Sequence, residues 1–271
     1  MIYQQDPLQE KRHEILPGLI WKYSNRILLI TTNGCPSKCE FCFRKNLYKD
    51  NFKRASDAQI IDFVKKHKLI KEFIFSGGEP LIVTNEMYFL IKELVKIKHL
   101  KLFRIHTRLP ITYPDKVDIR LMKKIIKTTN NPVYLVIHIN TNIEIDRPET
   151  RKVIKKLRSI GYVLLSHTVF LKGINNNVDC LENLFSELIE LGVKPYYIFH
   201  CDDMRHTQKF IVPIKEEVKI MTELRERLSG LAYPLHVIDS ESGHGKIPVP
   251  TGFWKCNFES YRDFKILKRN R

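Results

Sequence analysis

Apolar runs of five to nine residues recur along the chain, separated by stretches in which apolar positions return every three or four residues. The runs predict strands at 26–32, 72–76, 102–106, 133–138, 162–170, 194–199 and 235–239. The helical periodicity predicts amphipathic helices near 56–67, 85–97, 116–128, 148–160, 177–191 and 214–229. Ser56 with Gln59 offers a capping box, and Gly161, Gly192 and Gly230 each stand just past a helical stretch. Alternation of this kind predicts an α/β protein with a parallel sheet, open or curled into a partial (β/α) barrel. In such folds chemistry collects at the C-terminal ends of the strands. Residues 1–25 hold only short pieces and read as a lead-in without its own core. Residues 26–271 read as one domain, with Phe264-Lys265-Ile266-Leu267 expected as an added edge strand.

Composition narrows the class. The 271 residues are 43% hydrophobic and 10% aromatic, enough for a full core in one large α/β domain. No apolar run reaches the eighteen or so residues of a membrane span, and the first residues carry no secretory pattern, so no membrane association is expected. Cys180, Cys201 and Cys256 are isolated, which predicts a reducing, cytoplasmic setting. The formal charge of +16 raises the question of nucleic acid. Its cations, however, fall on helical patterns such as Lys123-Lys124 with Lys127 and Arg151-Lys152 with Lys155-Lys156, and no aromatic-interleaved basic motif accompanies them. Solvated helix faces account for them, with an acidic protein partner left open.

The chemistry begins at Cys35, Cys39 and Cys42, spaced Cys-x3-Cys-x2-Cys directly after the first predicted strand. Three soft thiolates in one loop ligate zinc or an iron–sulfur cluster. Structural zinc normally takes four ligands, and the loop holds no fourth Cys or nearby His. Three ligands leave one metal corner open for chemistry. Ser76-Gly77-Gly78-Glu79-Pro80 follows the second strand, where glycines let backbone approach a ligand and Glu79 can accept hydrogen bonds. Near the end, Ser242-Gly243-His244-Gly245-Lys246 follows the 235–239 strand. It is not a phosphate-binding P-loop, because Ile247 stands where Ser or Thr should follow the lysine. Asp202 and Asp239 each end a predicted strand, which puts two carboxylates at the barrel mouth.

The cysteine motif resembles that of radical S-adenosylmethionine (SAM) enzymes, in which three cysteines hold a [4Fe–4S] cluster and SAM chelates the fourth iron. The glycine turn matches the segment by which that superfamily holds the amino group of SAM. Cys42-Phe43-Arg44, Arg104-Ile105-His106, His138-Ile139-Asn140, Pro195-Tyr196-Tyr197 with Cys201-Asp202, and Asp239 seven residues before Lys246 together resemble lysine 2,3-aminomutase. The opening, with Asp6-Pro7-Leu8, Pro17-Gly18-Leu19 and Lys22-Tyr23, is most similar to the short branch associated with elongation factor P.

The resemblance implies a second cofactor, pyridoxal 5′-phosphate, held as a Schiff base by Lys246, with Tyr23 and Arg26 at its phosphate. It assigns Phe41, Gly77, Gly78, Glu79, His106, His138 and His167 to cofactor contacts. Arg44 would clamp the α-carboxylate of L-lysine, and Asp202 with Asp239 would grip its far ammonium. It further implies an electron donor such as flavodoxin or ferredoxin. His167 stands where family members usually carry Gln, Phe199 where they carry Tyr, and Ser-Gly-His-Gly replaces a four-glycine turn. The expected activity is an isomerase moving the α-amino group of lysine to the β-carbon. Arginine or ornithine as substrate, radical modification of RNA, and metal binding without catalysis are the alternatives.

Overall fold

The computed structural model describes residues 5–48, 52–240 and 245–252, together with the backbone of 254–255 and 265–266. Ten strands form one sheet: β1 (Glu14–Leu16), β2 (Leu19–Tyr23), β3 (Arg26–Ile30), β4 (Glu72–Ser76), β5 (Leu102–Thr107), β6 (Val133–His138), β7 (Val163–Val169), β8 (Lys194–Phe199), β9 (Leu235–Asp239) and β10 (Lys246–Pro248). They lie side by side in chain order. β3 to β9 run parallel, while β1–β2, β2–β3 and β9–β10 pair antiparallel. The expected mixed sheet of a partial barrel is therefore present. The lead-in departs from expectation: Pro17-Gly18 turns the chain between β1 and β2, which extend the sheet, and Leu19 and Ile20 are buried. Gly18 (φ 75°) supplies the left-handed turn. At the other end, Lys265–Ile266 does not join the main sheet but pairs with Trp254–Lys255 in a two-stranded one.

Among the described residues seven α-helices connect the strands: α1 (Asp57–Lys66), α2 (Thr84–Leu94), α3 (Leu109–Thr112), α4 (Ile119–Thr128), α5 (Pro148–Ser159), α6 (Val178–Glu190) and α7 (Ile214–Arg227). Local signals set their ends. Ser56 and Gln59 form the expected capping box on α1, and Asn177 accepts from the Cys180 N–H at the start of α6. Gly192 (φ 78°) ends α6, with the Val193 N–H bonded back to the Leu188 carbonyl. None of the helices among the described residues is long and apolar enough to cross a membrane.

The pleat separates two environments. Phe73 and Phe75 of β4, Phe103 and Ile105 of β5, and Leu135 and Ile137 of β6 are fully buried in one core with Ile60, Leu90, Met122, Ile125 and Leu157 of the helices. Each such side chain contributes about 1.5–3 kcal/mol by leaving water. The alternate positions of the same strands carry Glu72, Arg104, His106, Tyr134 and His138, and β7 adds His167. A barrel interior is ordinarily packed with branched aliphatic side chains. This one is lined with titratable groups, and Arg104 pairs with Glu72 across β4 and β5.

Candidate active site

The cysteine loop is stitched to the glycine turn through backbone. Thr31 N–H bonds the Ser76 carbonyl at 2.9 Å, Gly78 N–H the Thr32 carbonyl at 2.7 Å, and Glu79 N–H the Gly34 carbonyl at 2.8 Å. A β-carbon on Gly78 would lie 2.1 Å from the Gly34 oxygen, so only glycine fits. Gly77 has φ 122° and equally little room, with the Thr32 oxygen 2.7 Å from an added β-carbon. The paired glycines are thus a condition of the loop's position. The Glu79 side chain is committed to the protein: its oxygens accept from Leu81 N, Thr107 Oγ1, Arg108 N and Leu109 N at 2.6–3.1 Å. It fixes the end of β5 against the turn.

Around the thiols, Arg108 donates to the Cys39 sulfur and to Glu144, whose other oxygen accepts from Asn140 N at 2.6 Å. Burial raises the Cys39 thiol pKa, and the Arg108 cation opposes that rise. His206 Nε2 lies 3.1 Å from the Cys42 carbonyl. Phe41 stacks on His138 with ring centroids 5.3 Å apart, and the Arg108 guanidinium lies 5.2 Å from the Phe41 ring. Cys35, Cys39 and Cys42 supply three thiolates from one loop, the ligand type a [4Fe–4S] cluster takes one to each of three irons.

The interior continues from Phe41 as a row of rings. His138 is the register partner of His167 on the next strand. His167 meets His106 at 5.1 Å and Phe199 edge-on at 5.0 Å, and the Lys246 ammonium lies 5.6 Å from the Phe199 ring. Burial holds His106 and His167 well below the ordinary imidazole pKa, aided by Arg104 beside His106 and by His106 and Lys246 beside His167. Both rings are neutral near pH 7, and the Nε2 of each is buried without a hydrogen-bond partner in the described structure. Buried polar atoms are rarely left so. Each can serve a bound polar group as a hydrogen-bond partner.

Lys246 opens β10 and pairs with Asp239 Oδ2 at 2.9 Å across the β9–β10 register. Gly245 precedes it at φ 88°, while Ser242, Gly243, His244 and Cys256 lie outside the described residues. Burial raises the Tyr23 pKa and the Asp239 charge adds to it; the Arg26 guanidinium sits 3.7 Å from the Tyr23 ring. Tyr23, Arg26, Asp239 and Lys246 therefore share one corner. Lys22 belongs there too, donating to the Ser240 carbonyl at 2.8 Å and the Leu8 carbonyl at 3.1 Å. Asp202, just past β8, is largely buried, and desolvation together with Asp239 pushes its carboxyl up to about 6. Arg44 differs from expectation. Its Nε and Nη2 are taken by Glu10 at 2.8 and 2.5 Å and its Nη1 by Ser76 Oγ at 2.9 Å, leaving only the remaining Nη hydrogens for a ligand. Glu10, Lys22, Arg108 and Glu144 were not singled out from sequence, because their partners are distant in the chain and no spacing announces them.

Residues 29–184 match the family model of the Radical SAM superfamily. The L-lysine 2,3-aminomutase of Buchnera aphidicola subsp. Baizongia pistaciae is 36% identical over 255 residues, covering 91% of this chain and 73% of that protein. The L-lysine 2,3-aminomutase of Escherichia coli (strain K12) is 38% identical over 236 residues, covering 86% and 68%. In fold, the chain is similar to a radical SAM methyltransferase from Sphaerobacter thermophilus, at a TM-score of 0.56 and 12% identity, covering 82% of this chain and 68% of that one. It is also similar to methylornithine synthase, at 0.55 and 14%, covering 80% and 66%.

Proposed function

Because this chain belongs to the radical SAM superfamily and, within it, to the family of the L-lysine 2,3-aminomutases, we propose that it uses pyridoxal phosphate to move the α-amino group of L-lysine to the β-carbon. At the coarser level the chain is a radical SAM isomerase of the aminomutase type, with a [4Fe–4S] cluster and SAM implied by the family. The observation that supports the finer reading is the row of rings. It runs from Phe41 beside the cysteines through His138 and His167 to Phe199 and the Lys246–Asp239 pair.

In this proposal the residues divide the work. Cys35, Cys39 and Cys42 hold the cluster, and the backbone of Gly77 and Gly78 holds SAM beside it. When bound, cluster and SAM supply a carbon radical that removes a substrate hydrogen, and pyridoxal phosphate supplies a π-system that spreads the unpaired electron. Lys246 is the amine that anchors pyridoxal phosphate. Its ammonium donates to Asp239 at 2.9 Å and lies 5.6 Å from the Phe199 ring, which holds the nitrogen in the corner shared with Tyr23 and Arg26. Arg26 and Tyr23, in the same corner, meet the phosphate. His106 and His167 offer neutral Nε2 atoms to the bound groups, an arrangement that adds no charge to the radical's path. Asp202 and Asp239 receive the far ammonium, which sets the hydrogen presented for abstraction.

The test is to incubate anaerobic protein with SAM, pyridoxal phosphate, a strong reductant and lysine, arginine or ornithine in turn. The expected product is β-lysine, identified by mass and retention. Turnover of arginine or ornithine without β-lysine overturns the substrate, and the absence of both a rearranged amino acid and deoxyadenosine overturns the chemistry.

A further inference from the structure

Beside the two aspartates lies a buried trio that the chemistry above leaves unused. Glu217 of α7 is completely excluded from solvent. Its Oε1 meets Nδ1 of His200 and its Oε2 meets Nε2 of His236, both at 2.9 Å. His200 stands directly after β8, and His236 lies within β9 as the register partner of Ile198. The His200 N–H adds a bond to the Val237 carbonyl at 2.9 Å. One carboxylate therefore straps the ends of two adjacent strands together. The strap is charged: both imidazoles hold the Glu217 carboxyl below its usual range despite burial, and Glu217 in turn raises His200. A buried carboxylate with one acceptor committed to each of two strands is costly to assemble. It also leaves little freedom in the strand ends it joins.

Each arm of the strap leads to one aspartate. Asp202 follows His200 by two residues, and Asp239 follows His236 by three. The two carboxylates sense each other, since the Asp239 charge adds to the rise in the Asp202 pKa, and their spacing is set by the backbone that carries them.

We propose that Glu217, acting through His200 and His236, is a positioning residue that fixes the place of Asp202 relative to Asp239 and so sets the length of cationic amino acid the site accepts. The proposal deepens the assignment of the two aspartates to the substrate ammonium and rests on it. A tail one methylene shorter stops short of a rigid carboxylate pair, but a pair free to move follows it inward. One methylene in a fitted pocket is worth roughly 10–200-fold in discrimination.

The experiment compares lysine with ornithine on the anaerobically reconstituted full chain, by calorimetric binding and by turnover. Three variants are used: Glu217→Gln, which accepts from one imidazole and donates to the other in its opposite neutral tautomer; His236→Phe, which cuts one arm; and Glu217→Leu/His236→Phe, which removes the strap at similar volume without orphaning a buried carboxylate. Wild type and Glu217→Gln are expected to prefer lysine about tenfold or more in Kd and KM, while both strap-cutting variants narrow the preference to about threefold. In those variants KM for lysine rises more than kcat falls, which a general loss of packing would not produce. His236→Phe decides the outcome if the double variant does not fold. Strap-cut protein that keeps the wild-type ratio overturns the proposal, as does a wild type indifferent to tail length. A wild type that binds lysine selectively yet releases no β-lysine overturns the proposed function instead, and the binding ratios still decide for the strap.

Discussion

Glu10 and Arg44 form a two-pronged ion pair, with Nε to Oε2 at 2.8 Å and Nη2 to Oε1 at 2.5 Å, both side chains largely withdrawn from water. The pair ties the first described turn of the chain to the residue two positions after Cys42. Glu10→Ala leaves a buried guanidinium without its counter-charge and is expected to cost about 3–5 kcal/mol, read from urea unfolding. Glu10→Gln keeps one oxygen to accept from the guanidinium and should cost less than Glu10→Ala. A Glu10→Ala protein with the wild-type unfolding midpoint would show that the pair is not held in solution.

Gly78 tests the stitching of the cysteine loop. In Gly78→Ala the new methyl group meets the Gly34 carbonyl, and the neighbouring glycine, not a flexible side chain, has to move. The expected result is lower iron and sulfide per chain after reconstitution and SAM affinity weaker by about tenfold, or 1.4 kcal/mol. Far-UV circular dichroism should stay as in wild type, since the change lies outside the helices and the sheet ladder.

On the proposed role of Asp202, binding of the substrate ammonium is expected to depend on pH. Its folded-state pKa is raised from 3.8 to about 6 by burial first and Asp239 second. For a raised acid the associated stability is complete below the unfolded value and is lost as pH climbs through the folded one. Ionising Asp202 therefore costs the ligand-free fold up to about 3 kcal/mol between pH 4 and 6. A cationic tail needs the ionised form, so KM for lysine should rise about tenfold for each pH unit below 6. Asp202→Asn should raise KM at pH 7.5 and flatten that dependence. A profile unchanged by the substitution assigns the titration to another group.

Lys246 carries a spectroscopic prediction. Lys246→Arg can still face Asp239 but has no primary amine, so borohydride should fix pyridoxal phosphate to wild type and not to the variant, as read by peptide mass. Labelling of the variant at another lysine would displace Lys246 from the role.

The layout of the sheet was legible because each strand from β3 to β9 is a short apolar run bounded by helical periodicity, and their predicted limits lie within two residues of the observed ones. Strands β1 and β2 escaped because Pro17-Gly18 cuts the pattern after three residues, too few for alternation to register. The cysteine loop and the glycine turn announce themselves by spacing. The contacts that govern the rest do not: Glu10 with Arg44, Arg108 with Cys39, and Glu217 with His200 and His236 join residues that only the curled sheet brings together. His167 and Phe199, separate departures in the sequence, meet edge-on in the structure.

Because each of the ten strands of the main sheet neighbours its predecessor in the chain, a nascent polypeptide emerging from the ribosome finds the docking partner of its newest strand already made. The thiol loop precedes most of the sheet, whereas Lys246 arrives with its last strand. On the roles proposed above, a translation product halted before that strand would carry the three thiolates but not the amine.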